Sequence, residues 1–189
     1  MFWKMLNVRK WRILNSKLAF DTKWFKVRQD KVELPSGVVI DDYYVWLAGD
    51  VAMIVPITKN NEIILVRQYK HALGEVIVEY PAGYVDEGED VKVAAERELR
   101  EETGYTAKEF SLMTKFVNNP TKEEGILNIF LAKDVEKVQE QQLDKTENIE
   151  VLRLPYQDVL AMINKGEIWN TGTVAATFLV FHRLGLLGN

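Results

Sequence analysis

Three glutamates, Glu98, Glu101 and Glu102, have the spacing that places side chains on one face of a helix. A helix is predicted between Asp90, a suitable N-cap residue, and Gly104, which suits a helix C-terminus. Like charges at this spacing repel, and the helix dipole disfavours acids near the C-terminal end. Most charge runs form a solvated face. A carboxylate cluster held against its own repulsion is also what Mg²⁺ or Mn²⁺ binding requires.

The segments around this helix predict an α/β fold in which a mixed sheet is sandwiched between helices. Apolar and alternating patterns predict strands at 51–56, 62–67, 75–80, 110–116, 125–133 and 147–154. Further helices are predicted at 156–165 and 171–184. This main domain is expected to cover residues 49–189.

Residues 1–48 predict a separate, β-rich element. A hairpin is expected from 23–29 and 37–47, which flank a Pro-Ser-Gly turn. Two or three strands alone bury little apolar surface. The element must therefore pack on the main domain or on a second subunit.

Composition narrows the possible partners. The 189 residues carry a net charge of −4, which gives no electrostatic reason to expect nucleic-acid binding. The chain has no cysteine, which excludes disulfides and thiolate metal sites. The basic, aromatic N-terminus lacks the apolar core of a signal peptide, and no apolar run approaches the ~20 residues of a membrane span. We therefore expect a cytoplasmic protein with no membrane partner.

Residues 83–105 resemble the Nudix box, Gly-x5-Glu-x7-Arg-Glu-U-x-Glu-Glu-x-Gly-U, where U is a bulky apolar residue. The matching positions are Gly83, Glu89, Arg97, Glu98, Leu99, Glu101, Glu102, Gly104 and Tyr105. Tyr105, which stands where an aliphatic residue is usual, is the one departure. Flanking segments resemble the family's hydrolases of ADP-ribose and other nucleoside diphosphate sugars. They are 67–70 (RQYK), 79–83 (EYPAG), Pro120 fifteen residues after Tyr105, 147–150 (ENIE) and 166–168 (GEI).

This resemblance implies a Nudix α/β/α sandwich that hydrolyses the diphosphate bond of ADP-ribose or a related nucleotide sugar. The products would be a nucleoside monophosphate and a sugar phosphate, with Mg²⁺ or Mn²⁺ as cofactor. By motif matching, Glu98, Glu102 and the Ala82 carbonyl would bind metal, and Glu101 would be a third ligand or act through water. Arg97 would orient these glutamates.

The resemblance also suggests a general base and substrate contacts outside the box. Glu147 is the best match for a loop glutamate that acts as base or extra metal ligand, and Glu140 and Glu150 are alternatives. A plain surface glutamate is the other interpretation of Glu147. Candidates for contacting substrate are Arg28, Trp46, Arg67, Lys70 and the Pro120 loop. Lys70 replaces the subgroup's usual arginine and so loses the bidentate fork.

The N-terminal strands resemble the segment that, in dimeric relatives, crosses onto the other subunit. We therefore expect a homodimer, in which Trp24 and Trp46 either stack on substrate or pack in the interface. The box itself does not distinguish ADP-ribose from GDP-mannose or another nucleotide hexose. An alternative of another class is a non-catalytic nucleotide-sensing module, but such modules usually lose the box carboxylates that this chain keeps.

Overall fold

A computed structural model describes residues 8–187, which divide into two compact units. One unit contains residues 8–48 together with Asn119–Gly125, and the other contains Gly49–Asn118 and residues 126–187. The domains predicted from the sequence are 1–48 and 49–189, and they count residues 119–125 with the second. In the structure Asn119–Gly125 groups with the N-terminal strands. Residues 1–7 of the predicted N-terminal element lie outside the described part.

The N-terminal unit is a three-stranded antiparallel sheet in the order β1-β2-β3. Its strands are β1 (Arg12–Asp21), β2 (Lys26–Glu33) and β3 (Val39–Trp46). The predicted hairpin corresponds to β2 and β3, while β1 was not predicted as a strand. In this unit the Phe25 and Trp46 rings stack, with centroids 5.4 Å apart.

The larger unit is built on a seven-stranded mixed sheet, of order β12-β5-β4-β10-β9, with β6 beside β5 and β7 beside β4. Strands β4 and β10 are parallel, and the other pairs are antiparallel. Strands β8 and β11 form a separate two-stranded pair. The elements are β4 (Val51–Ile57), β5 (Glu62–Lys70), β6 (Glu75–Glu79), β7 (Ala82–Tyr84), α1 (Val91–Thr103), β8 (Tyr105–Thr106), β9 (Glu109–Phe116), β10 (Leu127–Lys133), β11 (Glu136–Lys137), β12 (Ile149–Pro155), α2 (Tyr156–Asn164) and α3 (Thr171–Arg183).

Two apolar clusters form around this sheet, because alternate residues of its central strands join different clusters. Ile54 packs in one cluster with Ala95 and Leu99 of α1. Val55, the next residue along β4, packs in the other with residues of α2 and α3, including Phe181. The central strands are apolar throughout because they are covered on both faces. This layering confirms the predicted α/β fold.

Within residues 8–187, no helix is long and apolar enough to span a bilayer.

Candidate active site

Helix α1 holds the predicted carboxylates and is fixed at both ends. The Asp90 side chain accepts hydrogen bonds from the backbone N–H groups of Lys92 and Val93, which caps the N-terminus. At the other end Gly104 has a φ of 77° and donates its N–H to the carbonyl of Arg100. Buried apolar residues of the helix, including Leu99, fix its rotation against the sheet. The rotation of α1 therefore sets where its glutamates lie.

Glu102 is the most deeply buried of the three glutamates, with 4% of its surface exposed. Its carboxylate accepts a hydrogen bond from the Ala82 backbone N–H at 3.0 Å. Burial and the charge of Glu98 raise the pKa of Glu102 to about 8. Burial also raises the pKa of Glu98, although Arg97 opposes that change. A cation bound beside them would favour the ionised form of both carboxylates.

Arg97 connects the helix to the loop that precedes it. Its guanidinium forms a two-bond fork with Glu89, both bonds 3.0 Å long. It also donates to Glu98 at 2.6 Å, to Glu101 at 3.3 Å and to the Tyr84 carbonyl at 3.1 Å. The hydrogen bonds to Glu89, followed by those to Glu98, raise the pKa of Arg97. Arg97 thus lies where the orienting role predicted for it requires.

Gly83 leaves the space that the Glu98 carboxylate occupies. A Cβ atom built at this position would lie 2.0 Å from both Cδ and Oε1 of Glu98. Any side chain here would therefore overlap the carboxylate. The box glycine is needed for close approach between β7 and α1, and not for a left-handed backbone.

The side chains of Glu98, Glu101 and Glu102, on one helix face, offer carboxylate oxygens, which is the donor type that a hard divalent cation takes. In the structure Arg97 occupies oxygens of Glu98 and Glu101. Within residues 8–187 no three His, Cys, Asp or Glu side chains converge closely enough to enclose an ion. Ala82, predicted to offer its carbonyl, contacts Glu102 through its N–H.

A cavity of about 470 Å³ adjoins this cluster, a volume within the usual range for small-molecule sites. One wall is formed by Ala82, Gly83 and Tyr84 of β7. Lys70 and Glu79 line the cavity as well, as do residues at the start of α3. The cavity therefore lies between the end of β5 and strand β7, which contacts Glu98 and Glu102.

The loop glutamates differ in their surroundings. Glu147 raises the pKa of both Glu98 and Glu102, so its charge is within electrostatic reach of the cluster. Its carboxylate accepts the Asp144 N–H at 2.9 Å. Glu140 instead forms an exposed ion pair with Lys137 at 3.0 Å.

Of the predicted substrate contacts, Lys70 lines the cavity. Arg67, three residues earlier on β5, forms an exposed ion pair with Glu150 of β12. Strand pairing places Glu150 directly opposite Arg67, so this contact follows from the sheet register.

Arg28, Trp46 and Pro120 belong to the N-terminal unit. The Arg28 guanidinium donates to Asp30 at 3.0 Å and to Glu124 at 3.0 Å. These residues are brought together within that unit.

Three residues that line the cavity, Tyr84, Glu79 and Asn170, were not predicted to have a role. Asn170 caps α3, since its side chain accepts the Thr173 N–H. An Asn just before the apolar run at 171–184 is an N-cap signal that could have identified it. Glu79 was noted as part of the 79–83 segment, but its partners come from distant parts of the chain.

Comparison with known proteins gives matches to two family models. A model described as the NUDIX domain matches residues 48–175. A model described as the nucleoside diphosphate sugar hydrolase N-terminal domain matches residues 11–46. The two matched ranges together cover most of the described chain.

Individual relatives match over most of their length. An ADP-ribose pyrophosphatase of Bacillus subtilis (strain 168) is 35% identical over 83% of this chain and 85% of its own. A methanol dehydrogenase activator of Bacillus methanolicus is 34% identical over 87% and 89%. The crystal structure of an ADP compounds hydrolase superposes with a TM-score of 0.84 and 27% identity, covering 97% of this chain and 98% of the other.

Proposed function

The chain belongs to the Nudix hydrolase family, and on this basis we propose that it hydrolyses the diphosphate bond of ADP-ribose in the presence of Mg²⁺. The products would be AMP and ribose 5-phosphate. The observation that carries this proposal is the pair formed by the buried Glu102 and the partly buried Glu98, behind the Gly83 wall of a ligand-sized cavity. The choice of ADP-ribose is supported by the names of relatives, which include ADP-ribose pyrophosphatases of Bacillus subtilis and Mycobacterium tuberculosis.

Glu98, Glu102 and Glu101 would hold the cation, with the Ala82 carbonyl as a further oxygen ligand. When bound, the cation would neutralise the diphosphate oxygens and lower the pKa of the attacking water. Arg97 keeps the glutamates in place through its bonds to the helix and to the preceding loop. Its fixed, forked donors suit this role.

Glu147 is the proposed general base, because its charge acts on both Glu98 and Glu102. Lys70 would contact a phosphate oxygen from the other side of the cavity. Arg67 is occupied by Glu150 in the structure, so it would reach substrate only after exchanging that partner.

The enzyme is further proposed to be a cytoplasmic homodimer whose N-terminal unit forms the contact. The match of residues 11–46 to an N-terminal domain of nucleoside diphosphate sugar hydrolases supports a role for this unit in the same activity. Arg28, Trp46 and the Pro120 loop, which belong to the unit, stay predictions for contacts with the nucleotide.

A product-identified hydrolysis screen tests the proposal. The purified chain with Mg²⁺ is incubated with ADP-ribose, GDP-mannose, UDP-glucose, dinucleotides and nucleoside triphosphates, and products are separated by ion-exchange chromatography. We expect ADP-ribose to give AMP and ribose 5-phosphate with the highest kcat/KM. Good turnover of a nucleotide hexose without turnover of ADP-ribose would reassign the substrate.

Substitution of the cluster separates an enzyme from a non-catalytic sensing module. Glu98→Gln and Glu102→Gln are each expected to lower kcat by about a hundredfold or more, since even residues that only support metal ligands cost 10–100-fold. Glu96→Gln is the matched control, because Glu96 lies on the same helix with 43% of its side chain exposed and pairs with Lys92. Full activity in both Glu98→Gln and Glu102→Gln would show that these glutamates are not needed for catalysis.

A further inference from the structure

Glu79, the last residue of β6, is a buried carboxylate that the proposed reaction does not use. It is 6% exposed and lines the cavity described above. A buried charge is costly unless it is paired and hydrogen-bonded. The hydrogen-bond and ion-pair partners of Glu79 therefore indicate which side chains its charge holds in place.

Three donors converge on this carboxylate. Oε1 accepts from the Lys70 ammonium at 2.8 Å and from the Gln68 side-chain amide at 3.0 Å. Oε2 accepts from the Asn170 side-chain amide at 3.1 Å. Glu79 thus links the end of β5 to the start of α3 across the wall of the cavity.

Lys70 is the cationic partner of Glu79, and it also lines the cavity, where it can contact a ligand. Its side chain is 40% exposed, while that of Glu79 is 8% exposed. A lysine ammonium is a point charge on a flexible stem and has no fixed fork. Without an anchor it would sample several rotamers, and ligand binding would have to restrict them.

Asn170 is itself held in place. Its Oδ1 accepts the Thr173 N–H at 3.1 Å as the cap of α3, which leaves its amide N–H free to donate to Glu79. The backbone N–H of Tyr80 donates to the Thr173 hydroxyl at 3.4 Å. The end of β6 is therefore tied to α3 at two successive residues, and Glu79 is a rigid anchor.

We propose that Glu79 is a positioning residue that holds the Lys70 ammonium toward the phosphates of the bound nucleotide. This proposal rests on the proposed function, since it takes Lys70 as a phosphate contact. It adds a reason why lysine can serve at a position where the subgroup usually has arginine. Here a buried carboxylate fixes the cation, whereas arginine would be fixed by its own planar fork.

The test compares Glu79→Gln with the wild-type chain in ADP-ribose hydrolysis. Gln keeps the size of the side chain and removes the charge that holds Lys70. We expect KM to rise about tenfold while kcat changes less than twofold, because the anchor acts on binding of the phosphates. The matched control is Glu136→Gln, which breaks another Lys–Glu pair, Lys59–Glu136 at 3.1 Å, and neither of these residues lines the cavity. It should leave both constants unchanged.

The same substitution made in a Lys70 variant shows whether Glu79 acts by positioning Lys70 or by supporting the structure in general. In a Lys70→Met chain, adding Glu79→Gln should raise KM less than twofold further, because there is no ammonium left to position. An equal rise in both backgrounds, or a KM for Glu79→Gln within twofold of the wild type, would overturn the proposal.

Failure of the proposed function gives a different result. Wild-type turnover decides whether ADP-ribose is the substrate, whereas the ratio of variant to wild type decides the role of Glu79. If another nucleotide sugar is the one hydrolysed, the same ratio is measured with it. If none is hydrolysed, calorimetric titration with ADP-ribose supplies the ratio of Kd values, with the same tenfold and twofold limits.

Discussion

At Glu98, a carboxylate occupies space that exists only because residue 83 has no side chain. The β7 backbone and α1 approach so closely that a Cβ at residue 83 would lie 2.0 Å from the carboxylate. A methyl group there must displace Glu98, since neither the strand nor the capped helix can move without disturbing the core. The geometry of the cluster therefore depends on a glycine that takes no part in the chemistry.

Gly83→Ala is expected to lower kcat by about a hundredfold, comparable with loss of a residue that supports a metal site. Thermal unfolding should change little, because the atoms that must move are the far end of the flexible Glu98 side chain. Glu98→Ala already removes the clashing carboxylate, so adding Gly83→Ala to that variant should lower kcat little further. A further hundredfold loss of kcat in the double variant would place the clash elsewhere.

Glu102 should make the stability of the cation-free protein depend on pH. Its pKa is about 8 in the folded chain, against an ordinary value of 4.5. Between these values the folded state retains a proton that the unfolded state has released. The free energy of unfolding in EDTA is therefore expected to fall as pH rises from about 4.5 to about 8.

Urea unfolding in EDTA at several pH values across this range measures that slope. Glu102→Gln, which cannot ionise, should flatten it. Glu96→Gln on the same helix is the control and should keep the wild-type slope. An unchanged slope in Glu102→Gln would show that Glu102 is not the titrating group.

Residue types and local spacing predicted the acidic face of α1 and the place of Arg97 beside it, because helical neighbours follow from sequence separation alone. The contact of Arg67 with Glu150 and that of Glu79 with Asn170 could not be predicted in this way. The two residues of these pairs are 83 and 91 positions apart in the sequence. Which side chains meet over such separations is decided by strand register and packing. Arg67 was predicted to contact substrate because segment 67–70 resembles that of the family, and its ion pair with Glu150 was not predicted.

Among the elements, α1 was predicted almost to the residue, since both of its ends carry local signals. The structure places it at Val91–Thr103 between the predicted Asp90 and Gly104 caps. Strand β7 was not among the predicted strands, because three residues carry no detectable alternation. Strand β1 was not predicted either. All ten of its residues are exposed, so it lacks the pattern of one buried and one solvent face on which strand prediction depends.

The C-terminal cap of α1 gives a prediction at this scale. Gly104 has a φ of +77°, and a Cβ there would lie 2.2 Å from the Gln139 carbonyl oxygen. Gly104→Ala should therefore cost the ~1–2 kcal/mol of a left-handed alanine and a further amount for the backbone clash. Gly166→Ala is the control, since its φ is +74° with nothing within 4 Å of a Cβ. Equal losses of unfolding free energy in the two variants would contradict the contribution of the clash.

At the scale of the whole molecule, the N-terminal unit exposes apolar side chains that a single copy of the chain leaves in contact with solvent. Five large apolar side chains of its first part are between 41% and 58% exposed, namely Trp11, Ile13, Leu14, Leu18 and Phe20. Three-stranded sheets gain stability by burying an apolar face, and clustered exposed apolar residues commonly mark interaction sites. The homodimer proposed above would cover these side chains with a second copy of the chain.

Leu18→Glu should convert the proposed homodimer into a monomer, because it places a charge within the apolar surface of β1. The position is 52% exposed in one copy, so the substitution buries no charge in the isolated chain and circular dichroism should remain that of the wild type. Light scattering coupled to size exclusion measures the mass. Val138→Glu is the matched control, since Val138 is 57% exposed but lies in the larger unit. A wild-type monomer at micromolar concentration, or a dimer that persists in Leu18→Glu, would rule out β1 as the dimer contact.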